Sequence, residues 1–155
     1  MRRKWLHGLI EELHSIFLRD LGRLKDELLS FESEEAIWLA RPATKNSAGH
    51  LTLHICGNLR HFVGAVIGHT GYQRQRENEF SGNKLSREEL LLEIAQAEVD
   101  VTRGLEKMAT SLLQQPYPLE VFGRPMTYSF FLLHLSGHLN YHLGQINYFR
   151  RIERG

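Results

Sequence analysis

A single cysteine, Cys56, is all the thiol chemistry the chain carries, so no internal disulfide can form. It lies inside an apolar run, where a small buried hydrophobe is expected rather than a reactive thiol, and a reducing, cytoplasmic compartment suits it best. No uninterrupted apolar segment approaches the length of a membrane span. The start, MRRKWLHGLIEELHSIF, has a basic head, but Glu11, Glu12 and His14 break its apolar part, which argues against a signal peptide. Charge of one sign is also lacking. A net charge of +1 leaves no global field to draw the chain to nucleic acid or an anionic membrane. MRRK, RQR and RRIER are short basic patches, without a reading helix or an interleaved aromatic platform, so nucleic acid is not an expected partner. Internal repeats, low-complexity stretches and convincing strand signals are absent too.

What is present is helical periodicity. With 155 residues, 18.0 kDa and 42% hydrophobic content, the chain suits one well-packed core, read here as a single domain over residues 1–155. From Trp5 to Leu28 apolar residues recur at three- and four-residue steps, predicting a first amphipathic helix. Asn46 or Ser47 can cap a second, running to about His69, with Gly71 beyond its end. Ser86 followed by Glu89 forms a capping box for a third, expected to continue through Leu113 until Pro116 stops it. Thr127 can cap a fourth, reaching about Ile152.

RPATKNSAG, TGYQRQRENEFSGNK and QPYPLEVFGRP connect these helices, and YPLEVFG could make a short extended piece. Helices of matched length, each about 35–45 Å, favour side-by-side packing as an all-α four-helix bundle. The second and third connections exceed what a tight bundle needs, making them candidate rims for a site.

The second and fourth helices lack acids: there is no Asp or Glu from Ser47 to Thr70, nor from Thr127 to Phe149. They are read as inner helices. His134, His138 and His142 recur every fourth residue, flanked by Gln145, on the side the apolar pattern assigns to the core. On the second helix His50, His54 and His61 project within about 40° of one another at about 100° per residue. Burying several imidazoles without partners costs on the order of 1–3 kcal/mol per group, so two facing rows imply a shared cation. A set of three imidazoles drawn from both helices leaves coordination positions open and gives the ion no charge compensation, which favours lowering the pKa of a bound water or thiol. Diiron chemistry is not expected, because it needs glutamates on the ligand helices.

The end His138-x-x-x-His142-Leu-Gly-Gln145, joined to NSAGHLTLHICGNLRH upstream, resembles the DinB-like superfamily of four-helix proteins, which includes the YfiT-like metal hydrolases. The pattern Tyr72-x-Arg74-x-Arg76-x-x-Glu79-Phe80 is similar to a further signature of one branch. Over nearly the whole chain, the resemblance implies a four-helix fold and a divalent metal, zinc or nickel, held by one histidine of the second helix and two of the fourth. Carried onto this sequence, these are His54, His138 and His142. His50, His61, His134, Gln145, Arg74, Arg76 and Glu79 then become pocket or supporting residues. Thiol-dependent transferases among the relatives imply a possible low-molecular-weight thiol as cofactor.

Two functions are expected from this reading. The first is a metal-dependent transferase or hydrolase acting on a small molecule. Any general base beyond metal-bound hydroxide would come from Glu79, Glu98 or Asp100, and Arg74, Arg76 and Arg124 could clamp an anionic group. The alternative is a non-catalytic helical homodimer, with the metal structural or absent and the leucine-rich stripes of the first and third helices as its face.

Overall fold

A computed structural model describes residues 2–40 and 44–153, and side chains within 8–40 and 44–152. The MRRK patch, Trp5, Leu6 and the end of the RRIER patch therefore lie outside the described side chains, as do residues 41–43 of the first connection. The elements in chain order are α1 (Arg2–Leu29), α2 (Glu34–Ile37), α3 (Ala48–Leu59), α4 (Asn78–Ser81), α5 (Arg87–Glu106) and α6 (Tyr128–Glu153). A π-helical segment, Arg60–Ala65, continues α3, and a 3-10 turn, Thr110–Gln114, follows α5. Among the described residues there is no strand; an isolated bridge between Pro116 and Thr127 flanks YPLEVFG, which forms no strand itself.

The caps form where short polar side chains precede apolar runs. Ser86 Oγ accepts from Glu89 N–H while the Glu89 carboxylate accepts from Ser86 N–H, so the capping box of α5 is made. Thr127 Oγ1 accepts from Phe130 N–H at the start of α6. Ser47 caps α3, and its partner in the box is His50, whose Nδ1 accepts from Ser47 N–H.

The four long helices form a bundle in which α1 and α3 each pack against α5 and α6. Apolar side chains spaced three and four apart converge on one core: Leu13, Phe17, Leu21, Leu24 and Leu28 from α1, Ile55 and Leu59 from α3, Leu90, Ile94 and Val101 from α5, and Phe131, Leu135, Leu139 and Ile146 from α6. These residues of the α1 and α5 stripes are buried in the core, while Leu29 of α1 and Leu92 and Val99 of α5 stay exposed.

Three departures from sequence expectation matter. The third long helix ends at Glu106 rather than Leu113, and the 3-10 turn brings the fully buried Leu113 against α1 and α6. Burial of that leucine outweighs the hydrogen bonds of a continued helix. The second helix does not keep α-helical register: from Arg60 it widens into a π segment, and the Phe62 carbonyl accepts from the Tyr117 hydroxyl at 2.7 Å. This segment lies tight on α5, where a Cβ on Gly104 would overlap the Val63 carbonyl oxygen. Finally, two connections carry short helices, α2 and α4, that periodicity alone is too short to reveal.

Candidate metal centre

His54 of α3 and His138 and His142 of α6 place one ring nitrogen each within 4.8 Å of one another. His138 Nε2 lies 3.2 Å from His54 Nε2 and 3.1 Å from His142 Nε2. The i,i+4 spacing stacks the two α6 rings on neighbouring turns, and the α3 partner supplies the third. Nitrogens held at about 2.0–2.1 Å from one tetrahedral ion are about 3.3 Å apart, so the donor set fits a small divalent cation.

Behind the nitrogens stands a second layer. His54 Nδ1–H donates to Glu79 Oε2 at 2.9 Å, and His142 Nδ1–H donates to the Gln145 side-chain carbonyl at 2.7 Å. Each bond puts the ring proton on Nδ1 and leaves the Nε2 lone pair facing its neighbours. Arg74 grips the Glu79 carboxylate in a fork, Nε to Oε1 at 2.6 Å and Nη2 to Oε2 at 2.9 Å. The carboxylate lies directly over Gly57 of α3; any Cβ there would overlap Glu79 Oε1. Glycine at this position is a steric requirement, one turn from His54. Phe80, next in α4, packs on the His54 ring at 5.1 Å.

Electrostatics keep the two α6 histidines toward the neutral form that binds cations. Burial pushes the His138 pKa down to about 4, and the neighbouring imidazoles of His142 and His54 push the same way. Burial also lowers His142, against the opposing hydrogen bond that its ring donates to Gln145. For Glu79, burial works to raise the pKa, but hydrogen bonds from His54 and Arg74 and the charge of the guanidinium hold it below the usual carboxylate range. The result is a pair of α6 rings held toward the neutral form, beside a His54 ring backed by one carboxylate that is itself ion-paired.

The sequence-derived site residues divide. Glu79, Arg74 and Gln145 join the trio's supports. His50 does not: it is consumed in the cap of α3, with its ring 5.3 Å from Trp38. His61 also stays out, edge-on to Phe62 at 4.7 Å, because the π segment that begins at Arg60 breaks the 100° projection that aligned it with His54. His134 is exposed, 4.7 Å from Phe122 and 6.1 Å from His138, at the mouth rather than in the cluster. Arg76 is exposed over Phe80, and Arg124 is exposed over Phe130. Asp100 is bound to Arg60 and Gln96 on α5, and Glu98 is half-buried on the same helix; neither belongs to the cluster.

One placement differs from the apolar pattern. The histidine row of α6 runs along the margin of the core, with His54 buried, His138 and His142 half-buried and His134 exposed. Opposite it, the polar side of α6 faces α1, where Asn140 donates to the fully buried Asp20 and Asn147 to Glu27. Gly57 and the partnering of Gln145 were the features sequence reasoning missed. The i,i+3 spacing of His142 and Gln145 on one helix was the available signal for the second. Cys56 is buried and its thiol is pushed well up by burial, in keeping with a packing role.

Comparison with known proteins gives two matches. The family model of the DinB superfamily matches residues 4–146. A crystal structure of a DinB-like protein from Bacillus cereus ATCC 10987 aligns with a TM-score of 0.67 over 88% of this chain and 90% of that one, at 19% sequence identity, a likeness of fold. No curated protein matches the chain.

Proposed function

The chain belongs to the DinB superfamily, and on that footing we propose that it is a divalent-metal-dependent enzyme, a transferase or hydrolase acting on a small molecule in the cytoplasm. The observation that carries this reading is the convergence of His54, His138 and His142, with Glu79 and Gln145 fixing two of the rings from behind. These three residues would hold zinc or nickel. When bound, the ion supplies Lewis acidity and a lowered pKa for a coordinated water or low-molecular-weight thiol.

The chain's own residues have separable tasks. Glu79 holds the Nδ1 proton of His54 and, pinned by Arg74, cannot swing forward to become a ligand itself. Gln145 orients His142 without adding charge. The half-buried positions of His138 and His142 leave the cluster accessible from one side, unlike a closed structural site. Exposed Arg76 and Arg124 are available to attract an anionic substrate. Stripped protein titrated with Zn²⁺ and Ni²⁺ tests the reading. It expects one ion per chain and loss of that ion in His138→Ala. Failure of the wild type to retain either metal would remove it. Incubation of the loaded protein with candidate thiols and electrophiles then separates thiol transfer from hydrolysis.

A further inference from the structure

Asn58 departs from what both its helix and its surroundings favour. It stands in the last turn of α3, where asparagine is a poor helix former, and it is only 8% exposed. Its amide makes no hydrogen bond to any described residue: Oδ1 is sealed from solvent without a partner, whereas Nδ2 is not sealed. A leucine would suit the helix and the burial, so a retained amide calls for a use outside the fold. Of the other two sealed orphans, Arg87 Nε belongs to a guanidinium already bound to the Phe31 carbonyl, and Thr70 Oγ1 lies over Gly64 in the π segment. Asn58 is the one beside the histidines.

Its place in the bundle supplies the use. Residues four apart in a helix lie on neighbouring turns with Cβ atoms about 5–6 Å apart, and four residues before Asn58 is His54. At about 100° per residue the two project only about 40° apart. Contacts with α6 bracket Asn58 on both sides. His54 meets His138 one turn before it, and Phe62 meets Phe131 one turn after it, with ring centres 5.0 Å apart. Asn58 therefore comes opposite the turn of α6 that carries His134 and Leu135, between the nitrogen trio and the mouth where His134 stands beside Phe122.

We propose that the Asn58 amide is a substrate-binding group of the metal site, donating through Nδ2 to a carbonyl oxygen of the molecule held there. The substrate class is a small molecule that carries a carbonyl, as an amide, ester or carboxylate, next to its metal-binding atom. This rests on the metal-centre reading given above. The unsealed end of the amide is a donor, so its partner must be an acceptor. A cation ligated by imidazoles keeps its charge and draws an electron-rich group to the same place. A fixed N–H beside that cation is the arrangement that stabilises negative charge developing on a carbonyl oxygen. The neighbouring cations do not fill this role: Arg74 is held in its fork on Glu79, and Arg76 and Arg124 lie over Phe80 and Phe130.

Co²⁺-loaded full-length protein tests this, titrated with two thiols of matched shape, mercaptoacetamide and isobutanethiol, and followed by the sulfur-to-metal absorption band. Both coordinate through sulfur, and only the first carries a carbonyl. The preference for mercaptoacetamide over isobutanethiol is expected to fall about 5–10-fold from wild type to Asn58→Leu. Co²⁺ affinity should stay unchanged, since Asn58 is not a ligand. The metal-free variant should melt at the same temperature as wild type or higher, because a sealed orphan has given way to hydrocarbon. Asn58→Met, with its adaptable side chain, repeats the measurements should leucine fit poorly. An unchanged preference overturns the inference and leaves the amide to an ordered water. Marked loss of metal-free stability in both variants means that the amide is bonded within the fold, and overturns it as well. Failure of the wild type to take up Co²⁺ would sink the metal-centre reading and this inference together, whereas uptake with an unchanged preference sinks this inference alone.

Discussion

Glu79 Oε2 and His54 Nδ1 lie 2.9 Å apart, joined across a connection that leaves α3, turns and comes back over the helix it left. That bond decides which nitrogen of His54 faces the two histidines of α6. The same carboxylate is held by Arg74, so its position is set by the loop and not by the histidine.

Replacing Glu79 by Gln should therefore weaken metal binding without abolishing it. Loss of a supporting acceptor behind a ligating histidine typically costs about 10–100-fold in affinity. Competition titration with a chromogenic chelator measures this; an unchanged dissociation constant would mean that the Glu79 bond has no part in orienting the ring.

A methyl group at residue 57 makes a sharper test. Gly57→Ala improves helix propensity by up to about 1 kcal/mol. It also displaces the Glu79 carboxylate, whose Oε1 occupies the space a Cβ would need. Metal affinity should fall as in Glu79→Gln, and the melting temperature of the metal-free protein should fall as well, because breaking the buried Arg74–Glu79–His54 contacts outweighs the propensity gain. Unchanged metal affinity would mean that the carboxylate does not need its place over Gly57.

Acid should destabilise the metal-free protein before its carboxylates titrate. The His138 pKa is lowered to about 4 by burial and neighbouring imidazoles, against 6.5 for an ordinary histidine. Between those values the unfolded chain binds a proton that the folded chain resists, so stability falls as pH drops from about 6.5 toward 4 and is level above that window. Urea midpoints across pH 4–8 in the presence of a chelator check it. His138→Phe removes the titrating group and should flatten that part of the profile.

Asp20 joins α1 to α6 from a fully buried position, accepting hydrogen bonds from Arg19, Arg23 and Asn140. Burial opposes its ionisation, yet these donors hold its pKa below the usual carboxylate value. Asn140→Leu removes one donor to this buried carboxylate while Arg19 and Arg23 remain, so it should lower stability by about 1–2 kcal/mol at neutral pH. The contribution of Asp20 is complete above the ordinary carboxylate pKa and is lost as pH falls through its depressed folded value. Chemical denaturation of both proteins at pH 7 and pH 3 should show the difference between them shrinking in acid.

Much of the helical architecture can be read from neighbours in the chain. Ser86 with Glu89 and Thr127 before an apolar run marked the starts of α5 and α6 correctly, because a cap depends on side chains within three residues of it. The end of α5 was not readable in this way: Glu106 gives way to a 3-10 turn for the sake of Leu113, whose burial partners lie on α1 and α6. His61 shows the same limit within a single helix. An ideal projection puts it beside His54, but the π segment against α5 rotates it toward Phe62.

For the candidate site, the every-fourth-residue spacing of His138 and His142 was written in the sequence, since two turns of one helix fix it regardless of surroundings. The residue type at Gln145 and the arginine and glutamate of the loop were visible as well, but not their bonds. Which histidine of α3 would meet the α6 pair, which nitrogen each ring would present, and whether the row would sit inside the core or at its margin depended on how α3 crosses α6 and on a loop folding back over Gly57. Periodicity is a short-range property, set by backbone geometry over a few residues. A 3.2 Å approach between His54 and His138, 84 positions apart, is the outcome of every packing contact that fixes the two helices relative to each other.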